Sequence, residues 1–353
     1  MEKIISGIQQ IGIGNTNLEK NWAWYRKYFG MDIPVLKEAA PAPLMISYTG
    51  NEVQSRDACI ALNSKGGGGF EVWQFTSRVA QAADFELAVG DLGIFICKMK
   101  SADVHATYDF FKKDGLDLLS EPVKGPDGKL HFFMKDHLGN IFEVVESKNW
   151  FGPINDVKPG GPCGAVIGVS DIDKSLKLYA DILGFSKVIY DESKQFEDLV
   201  CLNGGDRKIR RVLLTHSKAL RGPFSQMLGD VYIELFELQE EKGRAIFKDR
   251  MWGDQGFIHL CFDVRNMDAL KEECAQKGFD FTVDSQESFD MGEAAGRFSY
   301  IEDPDGTLIE FVEAHKLPIV KKIGWYLDLK GRDQNKPLPR WILRSMRFGR
   351  RKD

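Results

Sequence analysis

One arrangement of residues occurs four times along this chain, and it limits the available folds more than any single motif does. Each copy opens on a short apolar strand: QIGIGNTN at 10–17, GIFICKMK at 93–100, GAVIGVSD at 164–171 and HLCFDVRN at 259–266. An amphipathic helix follows, opening near Asn, Ser or Asp and ending at glycine, as in NLEKNWAWYRKYFG and NMDALKEECAQKGF. Two middle strands come next, then a closing strand of the form apolar-Glu-apolar. The closing strands are GFEVWQF, NIFEVVES, VYIELFEL and LIEFVEA, so Glu71, Glu143, Glu234 and Glu310 share one position.

A βαβββ module makes a small sheet covered on one face by its helix, which leaves the other face bare, so modules must pair. The expected fold class is α+β, with four modules in pairs. The Gly- and Pro-rich stretch around 150–162 divides the chain into 1–150 (modules 8–76 and 91–147) and 163–315 (modules 163–239 and 256–314). A basic extension, 316–353, follows.

The net charge of −5 gives the body no reason to bind nucleic acid. No apolar run is long enough to span a membrane. The six cysteines have no CxxC pairing, and several lie in apolar runs, which reads as buried, reduced thiols. With no signal-peptide pattern at the start, a cytoplasmic location is expected.

The layout resembles the vicinal-oxygen-chelate superfamily of glyoxalase I, bleomycin-resistance proteins, methylmalonyl-CoA epimerase and extradiol dioxygenases. Residues 8–315 carry the resemblance. It is most specific in GRFSYIEDPDGTLIEFVE at 296–313 and weaker in KDHLGNIFEVVE at 135–146. The resemblance implies that the paired modules form two half-barrel units, with one divalent metal ion (Zn, Ni, Mn or Fe) held by opening and closing strands, and no organic cofactor. The opening-strand positions are then Gln10, Gly93, Gly164 and His259. Independently of the family, a glutamate between apolar strand residues faces the side opposite to theirs. In a concave cavity such a carboxylate needs a metal, a cation or water beside it.

If sequence neighbours pair, both sites are incomplete, and the second domain offers Glu234, His259 and Glu310. If modules one and four pair, the set is Gln10, Glu71, His259 and Glu310, and the losses gather in the other pair. That second arrangement resembles glyoxalase I and is the expectation carried forward. It implies isomerase or lyase chemistry on a small, oxygen-rich molecule through an enediolate-like intermediate. Glu310 is then the base, Glu71 its counterpart, and Tyr300 a candidate acid.

Two other functions compete. A ring-cleaving or other non-haem iron dioxygenase wants two histidines and a carboxylate, and the ligand positions offer one histidine. A metal-free binding protein of the bleomycin-resistance type would use the same cup, with Trp73 as a possible wall. His131 and His216 lie in or beside middle strands and could also line a cavity. A basic stretch of Arg207, Lys208, Arg210, Arg211 and Arg221 could grip carboxylates or be a solvated strand end. The segment 338–353 mixes Trp341, Ile342, Leu343, Met346 and Phe348 with five arginines and a lysine. It suits either peripheral contact with an anionic membrane or packing over the body.

Overall fold

In a computed structural model, residues 2–286, 289–290, 295–320 and 324–351 are described. Residues 321–323 and 352–353 of the extension lie outside them. Two large sheets carry the four modules. The first runs in the order Val283–Asp284, Ala295–Glu302, Leu308–Val320, Gly256–Arg265, Ile4–Asn15, Gly69–Phe75, Ser55–Leu62, Ile33–Pro41. It therefore joins modules four and one, through antiparallel pairing of their opening strands. The second sheet joins modules three and two in the same way, through Pro162–Gly168 and Gly93–Ser101. Each sheet thus takes one module from either side of the 150–162 linker, and the sequential division at 1–150 and 163–315 is not the division between sheets. Opening strands are the natural seam, because within each module the opening strand already pairs with the closing strand in parallel and has only one edge left.

The helices form as their caps dictate. Leu18–Phe29 starts at Asn17, whose side chain accepts from the Lys20 amide, and stops at Gly30, which takes φ +64°. Val104–Lys113 and Ile172–Tyr179 start at Asp103 and Asp171 in the same manner. Strand alternation then sorts the side chains. Ile11, Ile13, Phe70 and Val72 join the shared core, while Gln10 and Glu71 turn to the opposite face. That core spans both units. Tyr25 of the first helix donates to Asp136 of module two (2.7 Å), and Tyr179 of the third helix donates to Asp303 of module four (2.9 Å). Burial outweighs these hydrogen bonds and pushes the Asp303 carboxyl up to about 6.

The extension departs from the expected boundary. The last closing strand continues to Val320 instead of ending near 314, and Trp325–Asp328 pairs back on it. Alternation in LIEFVEAHKLPIV carries the strand on. Arg340–Ser345 and Met346–Gly349 are short helical turns starting after Pro339. Their Ile342, Leu343 and Met346 are buried with Phe224, Met227 and Phe151. The apolar side that a membrane would need is therefore used in packing; Trp341 and Phe348 stay exposed. Among the described residues, no helix is long and apolar enough to cross a membrane. All six cysteines are free.

Candidate functional site

In the unit formed by modules one and four, the two opening strands meet so that Gly12 faces His259. The parallel register sets Glu71 opposite Gly12 and Glu310 opposite Cys261. Four side chains converge as a result. His259 Nε2 lies 3.2 Å from Glu71 Oε2 and 3.2 Å from Glu310 Oε2. Gln10 Nε2 lies 3.4 and 3.3 Å from the same two oxygens. The expected set of Gln10, Glu71, His259 and Glu310 is brought together. The alternative set is not, because Glu234 lies in the other sheet.

The cluster is short of positive charge. His259 is fully buried, Gln10 and Glu310 nearly so and Glu71 partly, so two carboxylates share one imidazole. Burial disfavours the imidazolium, yet Glu310 and Glu71 outweigh it and raise the proton affinity of His259. Burial and the Glu71 charge also push the Glu310 carboxyl up, against the opposing effect of His259. Gln10 Oε1 is buried with no hydrogen-bond partner, and His259 Nε2, though 3.2 Å from both carboxylates, makes no well-aligned hydrogen bond to either; such buried groups are rare in a native interior.

These features fit a cation. Tetrahedral ligands about 2.1 Å from one ion stand about 3.4 Å apart, and His259 Nε2 and the Gln10 amide nitrogen stand 3.2–3.4 Å from the two carboxylate oxygens. The Gln10 amide must be turned over to offer Oε1, a change that moves no heavy-atom position appreciably. Tyr300, fully buried, places its hydroxyl 3.4 Å from His259 Nδ1, the nitrogen that carries the proton when Nε2 faces a cation. Gly12 is required here for close approach: a Cβ on it would stand 2.5 Å from the His259 ring.

The cluster floors a cavity of about 340 Å³. Its walls come from the middle strands of modules one and four, from Phe224, Met227 and Leu228 of a module-three loop, and from Met346 of the extension. Trp73 is not a wall. It is sealed behind the floor by Trp252, 4.6 Å away edge-on, and Trp252 reaches the cavity in its place.

The second unit shows what the opening-strand reading missed. Residues two before the partner of each closing glutamate are Gln10, Gly164, His259 and Ile96, so Ile96, not Gly93, is the module-two position. The bulge at Phe95 hides this by eye. Counting back seven from the helix cap finds it, since Asn17, Asp171 and Asn266 stand seven after Gln10, Gly164 and His259, as Asp103 does after Ile96. Lys98 then turns into the cup, within 2.5 Å of Glu234 and in contact with Glu143. Arg211 pairs with Glu234 and with Asp198 (2.7 Å), so it is a buried counter-charge and not part of a solvated strand end. His131 sits 2.9 Å from Glu143 and 3.4 Å from Asp198, and Tyr190 donates to Glu234. His216 lies elsewhere, its ring tilted against Phe185 at 4.2 Å, and burial holds its pKa down at about 4.

A family model described as Glyoxalase/Bleomycin resistance protein/Dioxygenase superfamily matches residues 7–144 and 164–311. Among solved structures, a putative dioxygenase from Bacillus subtilis is 16% identical, with TM-score 0.55 over 88% of this chain and 86% of its own. Glyoxalase I from Zea mays is 16% identical, with TM-score 0.52 over 88% of this chain and 92% of its own. A single-site mutant of that enzyme gives 15% and 0.54 over the same shares. At these identities the likeness is one of fold. No curated protein sequence matches the chain significantly.

Proposed function

The chain belongs to the Glyoxalase/Bleomycin resistance protein/Dioxygenase superfamily, and from that premise we propose that its first unit is a divalent-metal-dependent enzyme of the glyoxalase type, an isomerase or lyase acting on a small molecule. The observation that carries the reading is the convergence of His259, Glu71, Glu310 and Gln10 at 3.2–3.4 Å, with Gln10 Oε1 left unpaired and His259 Nε2 without a well-aligned hydrogen bond. His259 Nε2, one oxygen each of Glu71 and Glu310, and Gln10 Oε1 would hold the ion. A cation bound there supplies Lewis-acid polarisation of adjacent substrate oxygens.

The chain's own residues do the rest. Glu310 takes the carbon-bound proton, since its burial beside Glu71 raises its appetite for one. Glu310 can then hand that proton to the neighbouring carbon, with Glu71 facing the same cavity as its counterpart. Tyr300 holds the His259 ring through Nδ1 and acts as a positioning residue, not as an acid: burial and both glutamates keep its hydroxyl well above the usual phenol range. The dioxygenase reading ranks below this one because the cluster contains a single histidine. The free cysteines support a cytoplasmic site of action.

Metal analysis of protein expressed in metal-replete medium tests the proposal. About one equivalent of a divalent ion is expected, falling severalfold in His259→Ala and in Glu310→Gln. Less than about a tenth of an equivalent in the unaltered protein would sink it.

A further inference from the structure

We propose that the molecule taken by this site carries an extended apolar body behind its oxygen-bearing end, and that Met346 of the C-terminal extension forms part of the wall against that body. The proposal deepens the function given above and rests on it for the oxygen-bearing end alone. Above the floor of Gln10, Glu71, Tyr300 and Glu310, the cavity is lined by side chains such as Leu36, Met45, Ile60, Phe224, Met227 and Met346. Among the described residues, two cationic side chains reach the lining, and both have partners. Arg56 donates to the Glu38 carbonyl (2.8 Å) and carboxylate (3.1 Å), and Lys316 lies 4.1 Å over the Tyr326 ring. Arg207, Lys208, Arg210, Arg211 and Arg221, the sequence's candidates for gripping carboxylates, are absent from this lining.

Size and chemistry then set the ligand class. At about 30 Å³ per water-sized group, a space of about 340 Å³ takes about ten non-hydrogen atoms. Pockets of this kind recognise an apolar body by area and use a few polar groups to orient it. The two methionines from outside the barrel, Met227 and Met346, are unbranched and can follow an irregular chain. Their position is enforced. Arg340 and Arg344 both donate to the Phe151 carbonyl (2.5 and 3.0 Å), and Arg350 pairs with Asp32. The extension is therefore strapped down at both ends of its helical turns, with Met346 between the straps.

A series of straight-chain alkyl hydroxamates, from two to twelve carbons, tests this by titration calorimetry on the zinc-loaded full chain. The hydroxamate offers two adjacent oxygens and the chain length varies the apolar body. Affinity is expected to rise roughly fourfold per methylene until the cavity is full, then level. Met346→Trp should bring the levelling point to shorter chains, and Met346→Ala should move it to longer ones. Affinity independent of chain length overturns the proposal, as does a levelling point unmoved in both variants. The same series on metal-free His259→Ala protein separates the two readings. A surviving length dependence in protein that binds no zinc leaves the apolar body standing and removes the metal. Tight, zinc-dependent binding without length dependence does the reverse.

Discussion

The two half-barrels share a strand order and keep both closing glutamates, yet one is open and the other is filled. In the unit of modules two and three, Glu143 and Glu234 meet Lys98 and Arg211, and only about 30 Å³ of space remains. In the unit of modules one and four, Glu71 and Glu310 meet one imidazole and one amide below about 340 Å³. Register makes the substitutions explicit. Lys98 faces its glutamate where Gly12 and Cys261 face theirs. Arg211 and His131 occupy the middle-strand positions held by Ala58 and Phe298 in the open unit. A buried carboxylate pair needs positive charge. The filled unit draws that charge from Lys98 and Arg211, whereas the open unit offers its glutamates only His259 and the Gln10 amide.

The comparison breaks most visibly if the filled unit is emptied. Lys98→Met leaves the two glutamates with Arg211 and His131 as their remaining charged partners, and loss of one partner from a buried ionic cluster costs about 3–5 kcal/mol. Urea unfolding of Lys98→Met should show that loss; a change under about 0.5 kcal/mol would mean that the cluster is already hydrated. Next in size is Gly12→Ala, whose Cβ would press on the His259 ring. About 1–3 kcal/mol of stability should go, together with a tenfold or greater drop in metal affinity measured by chelator competition.

Acid sharpens the contrast, because the two units respond with opposite sign. Burial opposes ionisation of Glu143 and Glu234, but Lys98, Arg211 and, at Glu143, His131 more than compensate and hold both below the ordinary 4.5. The filled unit therefore contributes stability that is present above about pH 4.5 and lost as pH falls through the lowered values. Glu310 is raised, so in metal-free protein its contribution is present below about pH 4.5 and lost as pH climbs through the raised value. Unfolding midpoints between about pH 3 and 6 should steepen on the acid side in Glu310→Gln and flatten in Lys98→Met. The smallest effect is expected from Glu310→Gln at neutral pH, where metal-free protein should gain up to about 1 kcal/mol on losing a poorly compensated charge. A loss of stability in that variant would mean that Glu310 is already balanced without a metal.

Much of this was legible in the order of residues. Cap and strand signals recur at fixed spacing, and alternation alone sends Glu71 and Glu310 to the face opposite Phe70 and Ile309. Gln10 and His259 could be picked out because each stands seven residues before its helix cap. The same count finds Ile96, but the bulge at Phe95 drew attention to Gly93 instead. Arg211 reads in sequence only as part of a basic stretch and Lys98 carries no signal of its own, since a sequence gives no measure of burial for a long polar side chain whose partners lie on other strands.

By itself, then, the sequence determined the four modules, their caps and the shared glutamate position, because those depend on contacts between residues close in the chain. Tertiary structure decided which modules share a sheet, that Met227 and Met346 from outside the barrel line its cavity, and that one pair of glutamates meets a lysine and an arginine while the other meets an imidazole and an amide. Those outcomes depend on residues up to 300 positions apart, such as Gln10 and Glu310, meeting at a distance of 3.3 Å. No local pattern records such a meeting; the pairing of open sheet edges produces it.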